Sequence, residues 1–254
     1  MSLTLFVTGV TAGFGRAIAR RFIADGHRVI GVGRRPERLA ELHTELGDNF
    51  LPMQLDVTDL TAVDALPQTL PAAWRDIDVL VNNAGLALGT APAQQADLAD
   101  WDLMVNTNIS GLIHVTRALL PGMVARNKGT IVNIGSTAGR YAYPGGNVYC
   151  ASKAFVEQFS LCLRADLVAN NIRVTDIMPG LVGGTEFSHV RFHGDAQKAD
   201  AVYQNTKPLD ENDIAEAVHW VVNLPDHVNI NVIEMMPTCQ APGPLAISRQ
   251  ANNK

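Results

Sequence analysis

The sequence predicts one α/β domain in which helices cover both faces of a parallel sheet. Short apolar runs, each followed by a longer amphipathic stretch, are typical of buried parallel strands that are joined by helices. A glycine-rich turn lies between the first apolar run and the first amphipathic stretch. The chain has 254 residues, of which 47% are hydrophobic, and these suffice for one large core. Because no internal repeat and no linker interrupts the pattern, we assign residues 1–254 to a single domain.

The composition argues against several classes of function. The net charge is −5, from 20 Lys and Arg against 25 Asp and Glu, without a basic stripe, so we expect no nucleic-acid partner. No apolar run reaches about 18 residues, so we expect no membrane span. The first strand begins by residue 3, so we expect no signal peptide. Three cysteines without a Cys-x-x-Cys pair suit reduced thiols in the cytoplasm. The seven histidines lack metal-ligand spacing, so we expect no metal.

The first strand, predicted over residues 3–7, leads through a turn with three glycines into a helix over residues 16–24. Gly9 permits the tight turn, Gly13 lets the backbone approach a pyrophosphate at the positive helix end, and Gly15 lets the helix pack against the strand. We therefore predict a dinucleotide site, with an ordinary connecting loop as the alternative. The predicted cofactor contacts in this turn are Gly9, Val10, Thr11, Ala12, Gly13 and Phe14.

The second strand, over residues 27–32, ends in Gly33 and two arginines, Arg34 and Arg35. Enzymes that use NAD usually carry an acid about 20 residues after the glycines, where it binds the ribose 2′-hydroxyl. A guanidinium at this place instead binds a 2′-phosphate through paired hydrogen bonds, so the sequence predicts NADP as the cofactor. The alternative is that both arginines are solvated residues at the start of the next helix, over residues 36–46.

Polar residues also follow the third and fourth strands, which we predict over residues 50–55 and 78–81. Asp56, which precedes Val57, can accept a hydrogen bond from an adenine amino group, or it is a turn residue before the next helix. Asn83, in an Asn-Asn-Ala-Gly run, suits contact with a flat ring and a ribose, although the same run is typical of a plain turn. We predict Asp56, Val57 and Asn83 as cofactor contacts.

A long helix over residues 99–126 carries Asn108 near its centre, where a short polar side chain is unfavourable. If its amide is buried, it must find hydrogen-bond partners. Asn108 is therefore either a satisfied core residue or the anchor of a proton relay. The fifth strand, over residues 129–134, ends in a loop that contains Ser136.

Tyr149 and Lys153 are four residues apart in a predicted helix that continues to residue 170, so they share one helical face. An ammonium about 5 Å from a phenol, at an effective dielectric constant of about 20, favours the phenolate by about 3 kcal/mol. This predicts a Tyr149 pKa about two units below the ordinary value of about 10, which suits a general acid and base. Because the bare pattern is common by chance, its meaning depends on the rest of the chain.

The last third of the chain contains a candidate substrate loop over about residues 180–210, which we expect to act as a flexible lid. Arg191 in this loop is a candidate clamp for a substrate carboxylate, with a subunit contact or a solvated charge as the alternatives. The tail over residues 241–254 has no clear pattern, and we expect it to cross a subunit interface. The remaining predicted elements are a strand over 172–177, a glycine-containing loop over 179–187, a helix over 213–224 and a strand over 228–235.

Six ordered motifs resemble those of the short-chain dehydrogenase/reductase family over nearly the whole chain. They are Thr8-Gly9-x-x-x-Gly13-x-Gly15, Asn82-Asn83-Ala84-Gly85, Asn108, Ser136, Tyr149-x-x-x-Lys153 and Pro179-Gly180. The resemblance implies a Rossmann fold with a parallel seven-stranded sheet in the order 3-2-1-4-5-6-7. It also implies a homotetramer, since in this family two long helices pair with a second subunit.

The resemblance further implies a role for each site residue. Ser136 donates a hydrogen bond to the substrate oxygen, Tyr149 gives or takes the hydroxyl proton, and Lys153 lowers the pKa of Tyr149 and binds the nicotinamide ribose. Asn108 supports a water chain that returns the proton. Tyr149 and Lys153 thus serve both catalysis and cofactor binding. The implied cofactor contacts after the sixth strand are Pro179, Gly180, Leu181, Val182 and Thr185.

Longer stretches are similar to the bacterial NADP-dependent 3-hydroxy acid dehydrogenases, also described as L-allo-threonine dehydrogenases and malonic semialdehyde reductases. They include VNNAGLAL at residues 81–88, IGSTAG at 134–139 and GLVGGTEF at 180–187. Gly184 stands where the wider family has a threonine, and Thr185 follows one position later, which this subfamily shares. Arg140 and Tyr141 fit the subfamily less well, in a loop that is expected to touch the substrate.

The sequence therefore predicts an NADP-dependent oxidoreductase that interconverts small 3-hydroxy acids, including L-allo-threonine, serine and 3-hydroxypropionate, with their 3-oxo acids or semialdehydes. Because hydride leaves or joins the carbon, the substrate oxygen must lose or gain a proton nearby, and Tyr149 suits this task. The alternatives are a broad carbonyl or 3-ketoacyl reductase and a regulator that binds NADP without catalysis. The intact set of Ser136, Tyr149 and Lys153 argues against the regulator.

Overall fold

Seven parallel strands form one sheet at the centre of the computed structural model, which describes residues 2–243. The strands are β1 (Thr4–Thr8), β2 (Arg28–Gly33), β3 (Phe50–Gln54), β4 (Val79–Asn82), β5 (Gly129–Ile134), β6 (Ile172–Pro179) and β7 (Val232–Met235). Their spatial order is β3-β2-β1-β4-β5-β6-β7, and each neighbouring pair is parallel. The predicted Rossmann fold and strand order are confirmed. The order reverses between β1 and β4, and a ligand cleft is expected at the carboxyl ends of the strands there.

Helices cover both faces of the sheet. They are α1 (Gly13–Ala24), α2 (Pro36–Leu46), α3 (Leu60–Asp64), α4 (Leu66–Thr69), α5 (Leu98–Val105), α6 (Leu112–Arg126), α7 (Asn147–Asp166), α8 (Phe187–Arg191), α9 (Ala196–Ala201) and α10 (Glu211–Val222). Short 3₁₀ turns lie at Gly47–Asn49, Ala72–Trp74, Ala93–Gln95, Thr137–Gly139 and Val168–Asn170. None of the helices in the described part of the chain is long and apolar enough to cross a membrane.

Side chains that alternate along the strands form two apolar cores, one on each face of the sheet. Along β1, Leu5 and Val7 pack into the core beneath α1, α2 and α10. Phe6 between them packs into the opposite core, with residues of α3, α4, α6 and α7. Because both faces are buried, the strands show apolar runs rather than alternation of apolar and polar residues.

The predicted long helix over residues 99–126 is present without a break, but its central turn is not α-helical. Two α-helices, α5 and α6, are joined there by a turn of π-helix at Asn106–Gly111. The backbone of this turn passes close to the segment after β3, since a Cβ on Gly111 would lie 2.9 Å from a methyl group of Val57. Such wide turns are rare in proteins as a whole, and those that occur are often found at functional sites. The sequence marks this place only by Asn108, an unfavourable residue at a helix centre, and does not predict the wide turn itself.

The last strand and two helices also differ from their predicted bounds. The strand predicted over residues 228–235 begins only at Val232, because the Asn229 side chain takes over the pairing with β6. Its Oδ1 accepts a hydrogen bond from the Val174 N–H at 2.7 Å, and its Nδ2 donates to the Val174 carbonyl at 3.1 Å. The helix predicted from residue 213 begins at Glu211, after a capping box between Asp210 and Asp213. Helix α7 ends at Asp166, so the helix predicted to reach residue 170 is shorter. Within the predicted tail, residues 244–254 lie outside the described residues.

Candidate active site

A cleft of about 890 Å³ lies at the carboxyl ends of the strands, at the reversal of the strand order. It brings together most of the residues predicted from the sequence. Val10 is an exception, because its side chain is fully buried in the core beneath α1. The predicted cofactor residues that line the cleft are Gly9, Thr11, Ala12, Gly13, Phe14, Arg34, Arg35, Asp56, Val57, Asn83, Tyr149, Lys153, Pro179, Gly180, Leu181, Val182 and Thr185.

The glycine turn forms one wall of the cleft. Gly9 and Gly13 have φ values of +72° and +50°, in the left-handed region that favours glycine. A Cβ on Gly15 would overlap the Gly9 carbonyl and would lie 2.7 Å from the Asn83 amide nitrogen. Helix α1 begins at Gly13, and within residues 2–243 no side-chain hydrogen bond caps its N-terminus at Ala12. Free amides at a helix N-terminus fit a phosphate group, so this wall suits a dinucleotide.

Asn83 holds the glycine turn from the neighbouring strand. Its Nδ2 donates to the carbonyl oxygens of Thr8 at 2.8 Å and Gly9 at 3.2 Å. The Thr8 hydroxyl in turn accepts hydrogen bonds from the backbone N–H groups of Asn83 and Ala84. The run after β4 is therefore more than a plain turn, since it shapes the wall that faces the cleft.

The two arginines after β2 lie at one end of the cleft in different surroundings. Arg35 donates hydrogen bonds to the Thr11 hydroxyl at 3.0 Å and forms an ion pair with Glu186 at 3.0 Å. The Arg34 side chain is 65% exposed and approaches Asp56 only to 4.0 Å. Arg35 is thus held in place at the rim, whereas Arg34 is closer to the predicted alternative of a solvated residue.

Asp56 lies at the same rim and has bonds of its own. Its Oδ1 accepts hydrogen bonds from the Thr58 N–H at 3.0 Å and the Thr58 hydroxyl at 2.9 Å. Asp59, not Thr58, caps helix α3 by accepting from the Ala62 N–H. The geometry of Asp56 therefore fits a turn residue, and its place in the lining also fits a cofactor contact.

Ser136, Tyr149 and Lys153 meet on the floor of the cleft. Ser136 follows β5 after Gly135, and its hydroxyl accepts a hydrogen bond from the Ala138 N–H at 3.1 Å. Tyr149 and Lys153 lie one turn apart on α7, and both side chains are buried. The Lys153 ammonium donates to the Ile134 carbonyl at 2.7 Å and lies 6.0 Å from the centre of the Tyr149 ring. The predicted catalytic group is therefore assembled in space.

The predicted low pKa of Tyr149 is wrong for this structure. Burial raises the pKa of Tyr149 above that of a free phenol, and the Ser136 hydroxyl and the Arg191 charge offset only part of the effect. Burial also lowers the pKa of Lys153 to about 8. The sequence argument counted the attraction between ammonium and phenolate but not the loss of water around both groups, which disfavours each charged form.

Asn108 lies in the π-helical turn behind the cleft floor and is 1% exposed. Its Oδ1 accepts from the Leu86 N–H at 2.9 Å, and its Nδ2 donates to the Leu86 carbonyl at 2.8 Å and the Ser152 hydroxyl at 3.0 Å. The amide is thus satisfied, as a core asparagine must be. A Cβ on Gly85 would lie 3.3 Å from Asn108 Oδ1 and 3.5 Å from Lys153 Nζ, so the satisfied amide lies close to the Lys153 ammonium.

Helix α8, within the segment predicted as a lid, lines the cleft, and Arg191 at its end is part of this lining. Its guanidinium lies 5.3 Å from the centre of the Tyr143 ring, in a cation–π contact. Its Nε is buried without a hydrogen-bond partner among the described residues. The Phe187 ring lies 5.8 Å from the Tyr149 ring and closes the same end of the cleft. A cation, two aromatic rings and the reactive phenol therefore face one space.

Several residues of the site were missed in the sequence. No sequence pattern indicates Tyr143 as a site residue, and Phe187 was noted only as the last residue of the stretch GLVGGTEF at 180–187. Gln240 follows β7, and its Oε1 accepts a hydrogen bond from the Leu181 N–H at 2.7 Å, which holds the loop after β6. Cys239 and Ala241 beside it also line the cleft. Only the fold brings the segment at 239–241 to the cleft.

The structure also explains the departures from the family pattern. Gly184 has a φ of +73°, which a threonine would adopt only with strain. Arg140 pairs with Glu157 on α7 and with Glu234 on β7, and the Tyr141 hydroxyl donates to Glu234 at 2.9 Å. These two residues thus tie the loop after Ser136 to its neighbours. Among the described residues, no group of three His, Cys, Asp or Glu side chains could hold a metal ion.

Comparisons with known proteins identify the family of the chain. A family model described as short chain dehydrogenase matches residues 3–196. The NADP-dependent 3-hydroxy acid dehydrogenase YdfG of Salmonella typhi is 60% identical over 247 residues, which are 97% of this chain and 100% of that protein. The serine 3-dehydrogenase of Rhizobium radiobacter is 51% identical over 241 residues, or 95% of this chain and 96% of that protein.

A solved structure extends the similarity to three dimensions. It is the closed form of serine dehydrogenase complexed with NADP⁺, with a TM-score of 0.96 and 59% identity. The match covers 98% of this chain and 100% of that chain. On the match of the family model and on identity to relatives over nearly the full length, the chain belongs to the short-chain dehydrogenase family.

Proposed function

We propose that this protein is an NADP-dependent dehydrogenase that interconverts small 3-hydroxy acids with their 3-oxo acids or semialdehydes. The proposed substrates include L-allo-threonine, serine and 3-hydroxypropionate. The observation that carries the proposal is the placing of one cation, Arg191, in the same end of the cleft as Tyr149. A small hydroxy acid carries a carboxylate and a hydroxyl, and these two groups need a cation and a proton acceptor respectively.

The residues at the other end of the cleft fit NADP. The amides at the start of α1 suit the pyrophosphate, and the anchored guanidinium of Arg35 suits a 2′-phosphate. Relatives named for NADP dependence, with identities of 59–60%, support the same cofactor. When bound, NADP supplies the acceptor or donor of hydride, and the protein supplies binding, orientation and proton transfer.

Proton transfer is proposed for the groups on the cleft floor. Tyr149 takes the proton of the substrate hydroxyl during oxidation and returns it during reduction. Ser136, whose hydroxyl faces the phenol, orients the substrate oxygen by a hydrogen bond. Lys153, buried beneath them, favours the phenolate by its charge and binds the ribose, and Asn108 connects the floor to a route for protons. Because burial raises its pKa, Tyr149 is protonated at neutral pH in this structure, and its release of a proton depends on the positive charge of Lys153 beneath it.

The lid is proposed to select the acid. Arg191 has an unpartnered donor and lies against Tyr143, which keeps the guanidinium in place. A carboxylate that bound there would hold the hydroxyl-bearing carbon near Tyr149. We propose residues 180–210 as the substrate loop, since α8 lines the cleft, as do Val202 and Tyr203 directly after α9.

A broad carbonyl or 3-ketoacyl reductase is the second candidate, and one observation favours it. The lid also presents apolar side chains to the cleft, among them Phe187, Val190 and Val202, and these would accept a longer chain. A panel of substrates separates the two functions. Serine, L-allo-threonine and 3-hydroxypropionate should give kcat/KM values well above those of matched alcohols without a carboxylate. Equal values for both groups, or a preference for ketoacyl thioesters, would favour the reductase. NADPH binding without any turnover would favour the regulator.

We further propose that the protein works as a homotetramer in the cytoplasm. The long helices α6 and α7 expose apolar side chains, Val124 and Leu161, which suit pairing with a second subunit. Light scattering on the purified protein measures the assembly directly. A monomer at micromolar concentration would contradict this part of the proposal.

A further inference from the structure

Asp176 is a buried acid to which the proposed mechanism gives no task. It lies on β6, in register with Asn133 on β5 and Val232 on β7, and it is fully buried. Neither of its carboxylate oxygens has a hydrogen-bond partner among the described residues. A buried carboxylate without partners is costly to fold, so its surroundings need an explanation.

The side chain of Asp176 points toward the catalytic helix. Val174, two residues earlier on β6, packs into the core with Leu163 of α7, and residues two apart on a strand face the same way. A Cβ on Gly135 would overlap the carboxylate, with 2.8 Å to its Oδ2. The Asp176 carboxylate therefore occupies the space that a side chain at position 135 would fill, beside the end of β5.

Lys153 reaches the same end of β5 from α7. Its ammonium donates to the carbonyl of Ile134, the residue directly before Gly135. The Lys153 ammonium thus lies against Ile134, and the Asp176 carboxylate lies against the next residue, Gly135. The loop that contains Ser136 and Arg140, called the serine loop below, follows directly. The Lys153 and Asp176 side chains are both buried, so water screens their attraction far less than it would at the surface.

The other charged groups near Asp176 are already paired. Glu157 lies one turn after Lys153 on α7, and it forms an ion pair with Arg140 of the serine loop. Arg140 also pairs with Glu234 of β7. Arg140 is the one cation among these three groups and is shared between two carboxylates, so together they leave one net negative charge and offer Asp176 no free cation. Lys153 is therefore the cation left to balance Asp176. In agreement, burial raises the pKa of Asp176 to about 7, and Lys153 opposes this rise. Burial lowers the pKa of Lys153 to about 8, and Asp176 opposes this fall.

We infer that Asp176 is a positioning residue for the reaction, an internal counter-ion that keeps the Lys153 ammonium charged beneath the reacting phenol. The inference rests on the proposed function for its meaning in catalysis, but the pairing itself can be tested without any substrate. Asp176 on β6 thus maintains the positive charge of Lys153, and this charge helps Tyr149 to release its proton.

The test is an NMR titration of the full-length protein labelled with ¹⁵N and ¹³C in lysine, of which the chain has only Lys128, Lys153, Lys198, Lys207 and Lys254. A Lys153→Met variant assigns the signal. In Asp176→Asn, the Lys153 pKa should fall by at least about one unit, as expected when a close opposite charge is removed. Glu157→Gln is the matched control, since that carboxylate pairs with Arg140, and it should leave the Lys153 pKa nearly unchanged. An unchanged Lys153 pKa in Asp176→Asn would overturn the inference.

Two further measurements keep the test decisive. If Asp176→Asn does not fold, ¹³C-aspartate labelling of the wild-type protein reports the Asp176 carboxyl itself. A carboxyl that stays protonated from pH 5 to 9 would overturn the inference, and one that ionises before Lys153 deprotonates would support it. In activity assays, the alkaline limb of kcat/KM should move to lower pH in Asp176→Asn, whereas a merely structural role would lower kcat equally at all pH values. If no hydroxy acid is turned over even by the wild type, the proposed function fails, and the NMR result still stands or falls alone.

Discussion

Arg35 at the rim of the glycine turn and Glu186 at the start of the lid form an ion pair with an N–O distance of 3.0 Å. This pair joins the two sides of the cleft. It also sets a carboxylate beside the guanidinium that is proposed to bind the 2′-phosphate of NADP. A second arginine, Arg38, approaches the same carboxylate to 4.0 Å. Glu186 is therefore placed to compete with a phosphate for this positive charge.

Replacing Glu186 with Gln should strengthen the binding of NADPH. The change removes the competing charge while it keeps the size of the side chain. Because the pair is partly exposed, the effect should be modest, about two- to fivefold in Kd. Fluorescence titration measures the Kd of NADPH. The Kd of NADH, which lacks the 2′-phosphate, serves as the control. Weaker NADPH binding would instead mean that Glu186 helps to close the lid over the cofactor.

Replacing Arg35 with Ala should lower the preference for NADP over NAD by about 10- to 150-fold in the ratio of kcat/KM. This range corresponds to a loss of about 1.5–3 kcal/mol, as is typical of hydrogen bonds to charged groups. Arg34→Ala is the comparison, and we expect a smaller change because that side chain is 65% exposed and is not held by Thr11. A wild-type preference for NADH would contradict the proposed cofactor altogether.

Tyr149→Phe should abolish turnover, with a loss of at least about 10²- to 10⁴-fold in kcat, because the proton acceptor is removed. The affinity for NADPH should change little, since the ring and its contact with Phe187 are kept. Stopped-flow measurement of NADP reduction and fluorescence titration of NADPH give the two values. A variant with near-normal kcat would remove Tyr149 from the mechanism.

Arg191→Ala should raise KM for acidic substrates by about 10- to 150-fold, because a charge-assisted hydrogen bond to the carboxylate is lost. Neutral alcohols of similar size should be affected far less. Tyr143→Leu is a useful companion variant: it removes the ring against which Arg191 packs, and we expect a smaller change in the same direction. Equal effects of Arg191→Ala on acidic and neutral substrates would show that Arg191 does not bind the carboxylate.

Gly15→Ala should destabilise the protein by about 1–3 kcal/mol and weaken NADPH binding. The added methyl group would overlap the Gly9 carbonyl, so either the turn or α1 must move. Gly122→Ala is the matched control in helix α6, where the new Cβ would meet only the end of the Arg126 side chain. It should be neutral or stabilising, since alanine favours a helix more than glycine does. Thermal unfolding with and without NADPH compares the two variants.

The sequence predicted those parts of the site that depend on local pattern. The glycine turn follows from its own motif between a strand and a helix, whereas the strand order and the meeting of Ser136 with Tyr149 were implied by the resemblance to a known family. Tyr143 and Gln240 could not be predicted in this way, because the contacts that bring them to the cleft join segments distant in sequence. A pattern within one segment contains no information about such contacts.

Two other misses have different physical causes. The pKa of Tyr149 was predicted from one pair of charges, but its direction is decided by burial, which only the folded chain reveals. The pairing of Asn229 with Val174 was missed because a side-chain amide there replaces a backbone amide, and an apolar pattern cannot distinguish the two.

The wide turn at Asn106–Gly111 makes this part of the chain unusually sensitive to insertions and deletions. A π-helical turn contains about one residue more than the α-helical turn that could replace it. Deleting Ser110 would allow an unbroken α-helix with better backbone geometry. Helices α5 and α6 would keep their relative orientation, because the wide turn already absorbs the extra residue, but the residues within the turn would move. Asn108 would then lose Leu86 and Ser152 together. A shortened chain of this kind could be more stable and yet inactive, which separates the demands of folding from those of catalysis at a single position.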